Sequence, residues 1–85
     1  MHSTISRDTA LTAVRAALRG FAPDADLAAL DENASLRATL ELDSIDFLTF
    51  VERLSTAAGT RIEETDYPRL ATLGACADFL VESGA

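Results

Sequence analysis

Ser44 is preceded by Asp43 and followed two residues later by Asp46, in the stretch ELDSIDFL, residues 41–48. A serine hydroxyl in this setting can serve as a nucleophile, a helix cap or an exposed handle. A nucleophilic serine needs an adjacent base. The chain offers one histidine, His2, in a terminus expected to fray, and no lysine. The G-x-S-x-G elbow is also missing. Serine hydrolysis is therefore excluded unless another protein supplies the base. A cap is the plainer reading, because serine or aspartate at a helix start satisfies free backbone N–H groups and acids complement the helix dipole.

The helix that must carry this serine is predicted over residues 44–58. Phe47, Phe50, Val51, Leu54 and Ala58 recur on one face, Leu48 widens one edge of that face, and Gly59 stops the helix. At roughly 100° per residue, Ile45 projects about 160° and Glu52 about 140° from the core stripe. An aliphatic residue next to an exposed serine, rimmed by acids, has the make-up of a docking patch. Ile45, Asp46, Glu52 and the neighbouring Leu42 are its candidate contacts, while an ordinary solvated face explains Glu52 equally well.

Three further segments complete the pattern. Ala10, Leu11, Val14, Ala17, Leu18 and Phe21 predict a first helix over residues 7–20, capped by Ser6 and ended by Gly20. Residues 22–43 read as a long turning connection with one apolar turn at SLRATL. A short turn around Tyr67 and Leu70 precedes a last helix over residues 73–82, capped by Thr72, with Leu73, Cys76, Phe79 and Leu80 inward. No strand signal is present. The expected fold is all-α: a four-helix bundle with three longer helices, one short helix and a long first loop.

Length and composition fit one domain spanning residues 1–85, with residues 1–5 frayed and 83–85 a C-terminal tail. A chain this short buries roughly 60% of its unfolded surface, so the core is small. The net charge is −7, and all seven cations are arginine. Such a chain repels nucleic acid and anionic lipid and favours partners with basic surfaces. No apolar run reaches the ~18 residues that span a bilayer. No signal peptide is visible, so a cytoplasmic location is the default expectation. The lone Cys76 reads as a core residue. The string DADLAALDEN lacks a calcium loop's fifth ligand and sixth glycine, at Ala28 and Ala29, and is not an EF-hand. Tyr67 and Pro68 read as loop anchors and the arginines of the first helix as a solvated face.

The stretch LELDSIDFLTFVERL, with SLRATL before it and RIEETDYPRLATLGACADFL after it, resembles an acyl carrier protein over nearly the whole chain. Its core is Asp43-Ser44-Ile45-Asp46. The resemblance implies that Ser44 receives a 4′-phosphopantetheine arm from coenzyme A, installed by a separate phosphopantetheinyl transferase with a magnesium ion. Asp43 matches the family residue that helps hold that ion. Cargo then rides as a thioester on the arm's thiol, a better leaving group than an alcohol. The protein would be a carrier and not an enzyme, delivering acyl intermediates of lipid, polyketide or related biosynthesis to enzymes with basic docking surfaces. A monomer is expected. The last two helical segments could part to admit cargo beside Phe47 and Ile62, or simply pack.

Two departures from the family pattern qualify the pathway. Glu41 stands where members often carry glycine, and the serine helix has Thr49, Arg53, Ser55 and Thr56 where fatty-acid carriers are rich in glutamate. A dedicated pathway fits better than primary fatty-acid synthesis. The first and last residues suggest a freestanding protein. Two alternatives remain: an aminoacyl or peptidyl carrier of nonribosomal synthesis, and an unmodified helical adaptor in which Ser44 is only a cap.

Overall fold

A computed structural model describes residues 5–83, which are helical with no strand among them. Three longer helices form the bundle: α1 (Arg7–Ala17), α4 (Ser44–Ala58) and α5 (Leu73–Glu82). Between α1 and α4 lie two short helices, α2 (Asp24–Ala28) and α3 (Leu36–Thr39). A 3-10 helix, Glu64–Leu70, joins α4 to α5. The all-α bundle matches expectation. It carries three short elements where one was predicted. The segment expected to fray, residues 1–5, falls mostly on residues 1–4, including His2, which lie outside the described residues. Ile5 packs against the core. At the other end Ser83 is the C-cap of α5, and residues 84–85 lie outside the described residues.

α1 begins where its cap residue predicts. Ser6 Oγ accepts the Thr9 N–H at 3.1 Å. The helix ends three residues earlier than its apolar pattern suggests. The Leu18 and Arg19 N–H groups bond the carbonyls of Arg15 and Ala16, tightening the last turn, and Gly20 then reverses the chain at φ +93°. The freed Arg19 carbonyl accepts from Arg53 Nη1 at 2.7 Å. Arg53 also covers the Phe21 ring, 5.0 Å from its centroid. Arg15 donates through Nε to the Leu27 carbonyl at 2.9 Å and through Nη2 to that of Leu30 at 3.4 Å. Arg7 spans Glu32 and Asp78, at 2.6 and 2.9 Å. Arg7 and Arg15 fasten the long connection to the bundle, which corrects the reading of the first helix's arginines as a merely solvated face.

The same connection is tied to α5 through the main chain. The Leu36 N–H donates to the Ala71 carbonyl and the Gly74 N–H to the Glu32 carbonyl, each at 2.9 Å. Glycine suits this approach: a Cβ at position 74 would lie 3.2 Å from the Glu32 oxygen and 3.1 Å from Arg7 Nη2, so its neighbours would have to give by a few tenths of an ångström. The core runs through the bundle. Ala10, Leu11, Val14 and Leu18 meet Phe50, Val51 and Leu54 from α4 and Leu73, Cys76, Phe79 and Leu80 from α5. α1 packs on both α4 and α5, and α5 packs on the 3-10 helix. Cys76 is buried, its thiol 3.5 Å from the Leu70 carbonyl. Burial pushes that thiol up to about 12, so Cys76 is a core cysteine, as expected.

Candidate functional site

The N-cap of α4 is Asp43, not Ser44. Asp43 Oδ1 accepts the Asp46 N–H at 2.7 Å, and Asp46 Oδ2 accepts the Asp43 N–H at 3.4 Å. The two aspartates thus close a reciprocal capping box around the serine. Ser44 becomes the first helical residue, exposed, with its hydroxyl not used by the cap. Reading Ser44 as the cap is thereby overturned, because the residue before it fills that role. Among the described residues the only side-chain hydrogen bond that reaches Ser44 Oγ is a long one, from Arg37 Nη2 at 3.5 Å.

The segment before the cap explains how Arg37 comes close. α3 starts at Ser35, whose Oγ accepts the Ala38 N–H at 3.3 Å. It ends in a tight wrap: the Leu42 N–H donates to the Arg37 carbonyl at 2.9 Å, with Glu41 in the left-handed conformation at φ +54°. This is the Schellman pattern, which normally places glycine at the left-handed residue. The same five-residue bond closes α4, from the Thr60 N–H to the Ser55 carbonyl at 3.2 Å, with Gly59 left-handed at φ +64°. The position of Glu41 is thus one where glycine would meet the backbone's demand without steric cost.

The wrap also turns Leu42 inward, where it is only 6% exposed. Leu42 is therefore a core residue and cannot be a partner contact. Ile45 is 74% exposed and Leu48 45% exposed. Leu48, expected at the edge of the core stripe, faces outward instead. Glu52 is exposed, and Asp46 is half-buried against its own cap. Phe47 is buried. It stacks edge-on to Tyr67 with ring centroids 5.8 Å apart and lies under Arg37, whose guanidinium carbon is 5.5 Å from the ring centroid. A cation over an aromatic face at an exposed site is worth about 0.5–1 kcal/mol.

An open groove of about 450 Å³ begins at Ser44. It is lined by Arg37 from α3, by Phe47 and Leu48 from α4, and by Tyr67, Pro68 and Ala71 from the segment before α5. Tyr67 and Pro68 are thus groove walls as well as anchors, while Ile62 is not among the lining residues. Among the described residues no group of three histidine, cysteine or acidic side chains converges on a metal position. No helix there is long and apolar enough to cross a membrane.

Ser44 is thus an exposed serine at the first residue of a capped helix, beside a largely apolar groove. A family model described as the phosphopantetheine attachment site matches residues 12–80. The chain belongs to this family of phosphopantetheine-binding carriers, whose prosthetic group is covalent 4′-phosphopantetheine. Carriers of this family are generally non-catalytic and are modified by a transferase. No curated protein and no solved structure matched the chain.

Proposed function

We propose that Ser44 takes the arm and that the protein carries acyl intermediates, as thioesters, between enzymes of a dedicated biosynthetic pathway. The observation that carries this reading is the exposed hydroxyl of Ser44, spared from capping by Asp43. In the loading reaction Ser44 Oγ bonds to the phosphorus next to pantetheine in coenzyme A. The pyrophosphate P–O bond breaks, adenosine 3′,5′-bisphosphate leaves, and the serine proton passes to a base of the transferase. Once attached, the arm supplies the thiol that holds cargo.

The residues present fit that group. Ser44 is open to solvent, and Arg37 provides a donor beside it. Asp43 uses Oδ1 to accept the Asp46 N–H, which leaves its other oxygen available to the transferase's magnesium ion. One carboxylate suffices for its share, because magnesium is held by one or two carboxylates together with substrate phosphates. Ile45 and Leu48 form the apolar centre of the docking patch, with Asp46 and Glu52 at its rim. The apolar walls of the groove, Phe47 and Leu48, favour acyl over aminoacyl cargo.

Incubation with coenzyme A and a promiscuous phosphopantetheinyl transferase, followed by intact mass measurement, tests the assignment. One arm's mass should appear on the wild type and none on Ser44→Ala. An unchanged wild-type mass, or a gain that survives Ser44→Ala, would refute it.

A further inference from the structure

The arginines of this chain have visibly different employments. Arg7, Arg61 and Arg69 pair with carboxylates. Arg15 and Arg53 donate to main-chain carbonyls. Arg37 pairs with no carboxylate among the described residues, and its one hydrogen bond goes to the Ser44 hydroxyl. Its guanidinium rests over the Phe47 ring at the mouth of the groove. Of the five N–H donors of a guanidinium, one is occupied, and weakly.

We propose that Arg37 is a phosphate grip: in the loaded protein it binds the phosphodiester on Ser44 and fixes the direction in which the arm leaves the helix. The inference rests on Ser44 being the attachment residue and adds a role for a second side chain. A phosphodiester on Oγ places its two non-bridging oxygens two bonds from that atom. Arg37 Nη2 already stands 3.5 Å from Oγ, so a small adjustment brings those oxygens to the ~2.8 Å of a charge-assisted bond. The planar fork of arginine suits two phosphate oxygens at once, which a lysine ammonium would not match. Stacking on Phe47 holds the fork in place before the phosphate arrives.

Two consequences distinguish this role from a surface arginine that merely covers Phe47. The negative charge added on loading is neutralised where it appears, so the acid balance of the docking patch is kept. The first bonds of the arm are also held along the groove beside Leu48 and Tyr67.

The test compares apo and loaded ¹⁵N-labelled protein, with loading verified by intact mass, for wild type, Arg37→Gln and Arg37→Lys. In the wild type, loading should shift the Arg37 side-chain N–H resonances, slow their exchange with water and produce a ¹⁵N–³¹P coupling across the hydrogen bond. The ³¹P resonance of loaded Arg37→Gln should move to that of a free phosphopantetheine diester, with Arg37→Lys between the two. Arg37 resonances identical in apo and loaded wild type would overturn the grip even where the mass shows full loading. That comparison needs no variant to fold. A wild type that gains no mass at all would overturn both the grip and the attachment reading beneath it.

Discussion

Glu41 is the one residue other than glycine that adopts the left-handed region among the described residues, at φ +54°. It is exposed and makes no side-chain hydrogen bond or ion pair there, so replacing it removes no favourable contact. The left-handed conformation costs a residue with a Cβ about 1–2 kcal/mol. Glycine escapes this cost but gives back roughly 0.5–1 kcal/mol, because it loosens the unfolded chain. Glu41→Gly should therefore stabilise the fold by about 0.5–1 kcal/mol. For a domain of this size that corresponds to a rise in Tm of about 2–8 °C. Glu41→Ala is the control: it removes the same charge yet keeps the strained backbone, and should stay within about 0.5 kcal/mol of the wild type. Both variants are measured by thermal melting and urea unfolding. A glycine variant that melts at or below the wild type would refute the strain argument. So would an alanine variant that gains as much as glycine.

Asp43→Ala should cost about 1 kcal/mol of stability through loss of the cap, whereas Asp43→Asn, a comparable cap, should cost little; urea midpoints check this, and both should load more slowly with the transferase. Phe50→Ala should cost about 3–5 kcal/mol in the same assay, because its ring is fully buried, while Ile45→Ala should leave stability nearly unchanged and impair only transfer to partners. The Cys76 thiol is raised in the folded state, so its contribution is fully present below the unfolded value of 9.0 and is lost as pH climbs toward about 12. Unfolding free energy measured from pH 8 to 11 should fall more steeply for the wild type than for Cys76→Ala, and a thiol reagent at pH 8 should label Cys76 only after denaturation.

The serine helix was legible because several local signals agree on it: an apolar face of helical period, acids at its start and glycine at its end. The reading that a serine in such a place caps the helix failed because two cap-competent residues are adjacent. Only the geometry shows Asp43 taking the N–H groups and leaving Ser44 free. Leu42 and Leu48 were misplaced for related reasons. Leu42 precedes the helix, so helical spacing says nothing about it; the wrap at Glu41 decides. Leu48 lies at the margin of the apolar stripe, where a small rotation of the helix changes its side. Helix α2 was read as a turning connection, since five residues carry too short a period to detect. Its Leu27 carbonyl accepts from Arg15 of another helix. The position of Arg37 beside Ser44 follows a wrap through a left-handed residue, which sequence alone would assign to glycine.

The hydrogen bond from Leu36 to Ala71 joins the residue just before Arg37 to the far wall of the groove. If cargo enters the groove as proposed, an outward swing of the 3-10 segment would strain this link or draw the arginine away from the serine. The backbone amide of Leu36 is consequently a natural reporter of occupancy. Its hydrogen-exchange rate would register the length of whatever lies in the groove, without any label on the cargo.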